Sequence, residues 1–201
     1  MSCANDHCFT GSGREFWRLT AQGFQGAQIR RDGGVDVDEE IVDIRALALR
    51  NGGIERPREV KLRAGLFYYR FLGTAAHNVG VAATGSLAYF GHWWIDGETM
   101  AGLRRFARDG GYPISEAAKY LLALPFEWGD HRRLVRALLE SPLRAWEGKG
   151  APAQASSRHP SDRGTKWIPP QHITVHQLFI PGRREELRGA FTQWTCDYAD
   201  R

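Results

Sequence analysis

The chain has 201 residues, 42% of them hydrophobic and 25% charged, ordinary globular values that exclude a wholly disordered chain and are met by one domain with one main core. A formal charge of +4 does not by itself imply nucleic-acid binding. Lysine is confined to Lys61, Lys119, Lys149 and Lys166, so almost all the positive charge is guanidinium, the group best shaped for phosphate and carboxylate.

No run of 18 or more apolar residues occurs, and the opening MSCANDHCFTGSG is polar where a signal peptide needs an apolar stretch, so a soluble, cytoplasmic protein without a membrane association is expected. Three cysteines, Cys3, Cys8 and Cys196, make a disulfide framework improbable. Cys3, His7 and Cys8 have no second ligand pair at zinc-like spacing, so no metal is expected and the terminus is read as frayed.

In chain order, residues 1–58 read as an N-terminal extension packed on the domain, and Asp38 is placed to cap a helix with Ile41, Ile44, Leu47 and Ala48 on one face. EVKLRAG and LFYYRFL read as strands. The small-residue connector GTAAHNVGVAATGS leads to a third strand, LAYFGHWWI. Asp96 then caps a helix over GETMAGLRRFARDGG, with Met100, Leu103, Phe106 and Ala107 inward and Gly110 as terminator. Two further helices are predicted, EAAKYLLAL capped by Ser115 and stopped at Pro125, and HRRLVRALLE capped by Asp130 and stopped at Pro142. GKGAPAQASSRHPSDRG is a loop, HITVHQLFIPG a strand ended by Pro181-Gly182, and REELRGAFTQWTCDY a closing helix within 183–201, with Leu187, Ala190, Phe191 and Trp194 on one face. The expected core is 59–182 of a single domain spanning 1–201.

No Walker loop, Rossmann fingerprint, nucleophile elbow or HExxH helix is present, and the GSG at Gly11–Gly13 follows no strand. What stands out is Tyr69-Arg70 on an aromatic strand, then Gly91, Trp93 and Trp94 with Asp96 opening a helix, then Gln177 in HQLFIPG. In that order these segments resemble the ADP-ribosyltransferase superfamily, particularly its small bacterial toxin-like and phage-conflict members, over roughly residues 64–182. In that family an early strand carries an aromatic-Arg pair, a middle strand of the form Gly-x-aromatic-aromatic precedes a helix, and a late strand near Pro-Gly carries a catalytic Glu.

The resemblance implies an α+β fold with a split antiparallel sheet and flanking helices. It implies NAD as cosubstrate, bound by Tyr69, Arg70, Gly91, Trp93 and Trp94, and ADP-ribose transfer to a protein or nucleic-acid target. A cognate antitoxin or immunity protein would accompany a toxin. The chemistry is coherent: arginine on a rigid strand can hold a pyrophosphate, aromatic faces can hold nicotinamide, and a carboxylate would stabilise the oxocarbenium-like sugar. The position resembling the catalytic Glu is Gln177, which can bond a ribose hydroxyl but carries no charge. Three alternatives follow: another acid (Asp96, Glu98 or Glu185) serves with Arg70, turnover is carboxylate-poor, or the fold binds without turnover.

Each residue also has a plain structural alternative. Arg70 can be an edge-strand arginine stacked on aromatics, one of Trp93 and Trp94 belongs to the core, His92 is a hydrogen-bonded strand residue and Gln177 a polar strand position. A non-catalytic alternative is a nucleic-acid-binding or protein-interaction module, with the arginines of HRRLVR, RRFAR and PGRRE on phosphates and tryptophans on bases. The enzyme reading requires that Arg70, Tyr69, a tryptophan and Gln177 converge on one cleft.

Overall fold

The helix at Gly97–Gly110 forms for the reasons legible in its sequence. Asp96 is extended and its carboxylate accepts from the Thr99 amide at 2.8 Å, Met100, Leu103 and Ala107 are buried, and Gly111 closes the helix in the left-handed region at φ 69. Around it, the computed structural model describes residues 2–24, 51–73, 90–124, 129–154, 166–170, 173 and 175–200. The helix expected from Asp38, most of the 73–86 connector, the Pro125 stop and residues 155–165 of the expected loop lie outside them.

In chain order the described elements are a 3-10 turn (Asp6–Phe9), α1 (Gly11–Ala21), β1 (Arg58–Lys61), β2 (Phe67–Leu72), β3 (Trp93–Trp94), α2 (Gly97–Gly110) and α3 (Ile114–Leu121). Then come β4 (Arg133–Leu139), β5 (Arg144–Lys149), β6 (Ala153–Gln154), β7 (Lys166–Trp167), β8 (His176–Phe179), α4 (Arg184–Ala190) and β9 (Phe191–Tyr198). This is an α+β fold. A four-stranded sheet runs β1-β5-β8-β3, a three-stranded sheet runs β2-β4-β9, β6 and β7 form a separate pair, and every pairing is antiparallel.

An isolated backbone bridge joins the two larger sheets. Tyr69 on β2 and Ile95 just after β3 exchange both backbone hydrogen bonds, at 2.9 and 2.8 Å. Tyr68, Val135 and Leu139 of the smaller sheet and Trp94 and Leu178 of the larger share one core with Phe191. α2 and α3 bury Met100, Leu103, Ala118 and Leu121 in a second, against Tyr69 and Phe71.

A third core corrects the expectation of a frayed terminus. Cys8, Phe9 and Ala21 pack with Ile54, Trp146 and Phe179. The fully buried Asn5 anchors the segment: its Nδ2 donates to the carbonyls of Arg144 and Pro181, both at 2.9 Å, and its Oδ1 accepts from the Arg144 amide at 2.8 Å. Burial pushes the Cys8 thiol up to about 12, which makes it inert at neutral pH.

One predicted helix is a strand, and a second is a helix only in its first half. HRRLVRALLE contains β4, because Val135, Ala137 and Leu139 are buried on alternate positions and the segment pairs on both sides, with β2 and with β9. Asp130 caps no helix there; its Oδ1 accepts from the Arg132 amide at 3.4 Å. The tail leaves α4 at Phe191 and continues as β9 to Tyr198, again with alternating burial. At α3 the helix begins two residues earlier than expected, after Pro113, and Ser115 binds through its amide and hydroxyl to the Asp200 carboxylate, at 2.9 and 2.8 Å. The loop expected after Lys149 holds the short β6, which pairs with β7.

Candidate active site

Where β2 and β3 part beyond the Tyr69–Ile95 bridge, a cavity of about 360 Å³ opens between the two sheets. β2 supplies Tyr69 and Arg70, β3 supplies Trp93, β8 supplies Gln177, and the turn before β4 supplies His131. Thr20, Gly23 and Phe24 around the end of α1, Asn51, and Leu122 and Ala123 just past α3 add to the wall.

Arg70 is half-buried, and its Nη1 donates to the Trp93 carbonyl at 3.0 Å. Its Nε is buried without a hydrogen-bond partner, and among the described residues no carboxylate pairs with the guanidinium. Burial first, and the nearby Arg184 second, lower its pKa to about 10. A guanidinium that keeps its charge with few of its five donors used is prepared for an anion.

Two glycines make room for the polar groups of this cavity. A Cβ on Gly91 would stand 2.6 Å from Cζ of Arg70, so only glycine lets the guanidinium lie across that backbone. Gly150 serves Gln177 in the same way, since its Cβ would collide with Nε2 of the amide. Gln177 is buried, on the strand position opposite Gly148, and Nε2 donates to the Leu122 carbonyl at 2.8 Å. Among the described residues the amide oxygen has no hydrogen-bond donor and is left for a ligand.

The two tryptophans divide as strand alternation dictates. Trp94 is 2% exposed, stacks on Phe191 at 4.7 Å and 13°, and donates from Nε1 to the Gly91 carbonyl at 2.7 Å, so its ring belongs to the core. Trp93 is half-buried and packs edge-on against Phe179 at 5.0 Å. His92 lies outside the cavity lining: its Nδ1 faces the Ile180 carbonyl at 2.9 Å, and its ring lies against Phe179 and Trp17.

The candidate acids are elsewhere. Asp96 caps α2 and lies with Glu98 and Glu147 on a second depression beside Lys61 and Arg63, and Glu185 is exposed on α4. Among the described residues lining the Arg70 cavity there is no carboxylate. Nor does any group of three His, Cys, Asp or Glu among the described residues suit a metal ion.

The arginine-rich segments lie on three separate elements, β4, α2 and the start of α4. Arg133 on β4 lies over Tyr198 at 4.5 Å and donates to the Cys196 carbonyl at 2.7 Å, and Arg136 lies over Phe67 at 3.6 Å. These guanidiniums are held by local cation–π and hydrogen-bond contacts, while those of RRFAR sit on α2 and those of PGRRE at the start of α4.

Sequence reasoning missed Gly150, Asn51 and His131. His131 was hidden by the helix expected over HRRLVRALLE, which would have made it a first-turn residue. Gly150 lies just past the end of β5, in the segment read from sequence as a loop, so no strand pattern marked it.

Fold and cavity together define an α+β domain with a cationic, aromatic-walled cavity at a sheet junction. No family model matches the chain, and no curated protein matches it. Among solved structures, the chain is similar to one in "Structure of Tne2 in complex with Tni2", with a TM-score of 0.38 and 11% identity over 68% of this chain and 86% of that one. Among the described residues no helix is long and apolar enough to cross a membrane.

Proposed function

We propose that this chain is an ADP-ribosyltransferase-like enzyme that takes NAD as substrate in the Arg70–Gln177 cavity and breaks the bond between nicotinamide and ribose. The observation that supports it most is the convergence of Arg70 and Gln177, 107 positions apart by their numbering, on one cavity in which the guanidinium has no carboxylate partner among the described residues. The unsatisfied buried Nε of Arg70 is the feature that fits a dinucleotide: a diphosphate would supply the missing acceptor.

In this reading Arg70 binds the diphosphate, and the half-buried Tyr69 and Trp93 offer ring faces to the nicotinamide. Gln177, fixed by Leu122, presents Oε1 to a ribose hydroxyl. NAD brings a good leaving group: nicotinamide departs with the bonding electron pair, and an acceptor oxygen or nitrogen joins the anomeric carbon and loses its proton to solvent. The amide dipole of Gln177 orients the sugar without supplying a full negative charge. That favours a small acceptor such as water over one needing a strong base, and NAD glycohydrolysis joins transfer to a protein or nucleic-acid target as the activity to test. A toxin or phage-conflict setting, with a cognate antitoxin or immunity protein as partner, belongs to the same reading.

The test is release of nicotinamide from NAD by the purified chain, followed by chromatography, with and without candidate acceptors. Release that Arg70→Ala abolishes is the expected result. Absence of both release and NAD binding by the native chain would sink the reading.

A further inference from the structure

Three non-glycine residues among those described adopt positive φ: Ala123 at 51, His131 at 54 and Gln193 at 45. The first two line the Arg70 cavity. Left-handed backbone costs roughly 1–2 kcal/mol at a residue with a side chain and tends to persist where a site requires it. At His131 the strain coincides with burial, 7% exposed, and with a buried Nδ1 that makes no well-formed hydrogen bond among the described residues, the Gly129 carbonyl lying near enough to favour a proton on the ring. A buried histidine in strained backbone with an unused nitrogen contributes little to the fold that an apolar residue would not.

The charged and polar groups acting on the ring come from every side. Lys119 on α3 and Arg70 on β2 oppose a charge there, while the neighbouring Asp130 carboxylate and the Gly129 carbonyl favour one. Lys119 is itself buried and paired with Glu116 at 3.0 Å. Without a ligand, desolvation and the two cations win, and the ring is neutral. A diphosphate between Arg70 and His131 reverses that balance, because its negative charges outweigh those cations at short range.

We propose that His131 is a second anion-recognition residue of this cavity, donating from Nε2 beside Arg70 to the diphosphate of the bound ligand and taking up one proton from solvent as the ligand binds. The protonated ring would direct Nδ1–H toward Gly129 and Nε2–H toward the phosphate oxygens. The inference rests on the reading of the cavity as a dinucleotide site, and it extends that reading by naming a residue and a linked proton that the sequence motifs do not contain.

Isothermal titration calorimetry of the whole chain with inorganic pyrophosphate, and separately with ADP-ribose, in buffers of different ionisation enthalpy, counts the protons. The native chain is expected to take up a substantial fraction of one proton near neutral pH and to bind more tightly as pH falls. His131→Asn, chosen because asparagine tolerates left-handed backbone, should take up none and bind roughly tenfold more weakly near pH 6, with a pH-independent affinity. Proton uptake unchanged in H131N, or equal affinity of the two proteins across the pH range, would overturn the proposal, as would failure of the native chain to bind either probe. Should H131N fold poorly, the native His131 ring titration followed by NMR decides instead: its midpoint must rise when pyrophosphate is added, and an unmoved midpoint rejects the role. Binding of pyrophosphate with proton uptake but neither nicotinamide release from NAD nor NAD binding would leave His131 in place and remove the NAD reading; release of nicotinamide with an unaltered H131N would do the opposite.

Discussion

The Arg70 guanidinium lies directly over the backbone of Gly91, so close that a methyl group there would sit 2.6 Å from its Cζ. The collision is with the far end of a flexible side chain, so the fold can accommodate Gly91→Ala by moving the guanidinium. The site cannot, because Nη1 would lose the Trp93 carbonyl that aims it into the cavity. G91A is expected to unfold within about 1–2 kcal/mol of the native chain yet to bind NAD at least tenfold more weakly. Urea denaturation and calorimetric titration measure the two quantities separately.

Restoring a carboxylate at the strand position near Pro181-Gly182 should not improve the protein. In Gln177→Glu the donor to the Leu122 carbonyl is lost, and an oxygen bearing charge faces that carbonyl in a buried site. A cost of about 1–3 kcal/mol is expected at neutral pH. The deficit relative to the native chain should shrink as pH falls, because the introduced carboxyl, once protonated, can again donate to Leu122. Denaturation midpoints of the two proteins across a pH series test both statements.

His131 makes the unliganded protein sensitive to acid. Burial first, then Lys119 and Arg70, lower its pKa from 6.5 to about 4, so between those values the unfolded chain binds a proton that the folded chain refuses. Stability from this group is full above pH 6.5 and is lost as pH falls through about 4, a change of the order of 3 kcal/mol. His92 is pushed the same way, chiefly by burial. Thermal melts in the absence of ligand should show stability falling with acid over that window, with a shallower fall in His131→Asn.

Asp96 separates helix capping from chemistry. Its carboxylate accepts from the Thr99 amide and lies outside the Arg70 cavity. Asp96→Ala should cost about 0.5–2 kcal/mol of stability as a lost cap, with nicotinamide release per folded molecule unchanged. A loss of turnover far beyond the loss of folded protein would make Asp96 the missing acid.

How much of this was legible in the sequence depended on whether local signals agreed with tertiary pairing. α2 was readable because cap, apolar face and terminating glycines all pointed one way, β2 because its aromatic residues suit a half-buried pleat, and β8 because the β-branched Ile173, Val175 and Ile180 flank it. HRRLVRALLE misled because Leu, Arg and Ala are good helix formers with a plausible cap, whereas pairing with β2 and β9 made the alternation of Val135, Ala137 and Leu139 decisive. The tail misled similarly: Leu187 and Ala190 do form a helical face, but Thr192, Trp194 and Thr195 belong to a β-prone run that the helical spacing concealed. Arg70, Tyr69, Trp93 and Gln177 could be picked out by residue type and order. That Trp94 would turn inward, that Asp96 would face another depression, and that His131 would join Arg70 required strand register and a turn no motif describes.

The central claim, that Arg70 is held without a carboxylate so that it can bind the diphosphate of NAD, is tested most directly by the melting temperature of the native chain and of Arg70→Met, each with and without NAD. A desolvated guanidinium with no carboxylate partner among the described residues destabilises the unliganded fold, so replacing it with a side chain of similar reach should leave stability equal or raise it by about 1 kcal/mol while removing the binding site. The account predicts that NAD raises the melting temperature of the native chain by mass action and leaves that of R70M, already as high or higher, unmoved. An R70M protein that is stabilised by NAD as much as the native chain would contradict it.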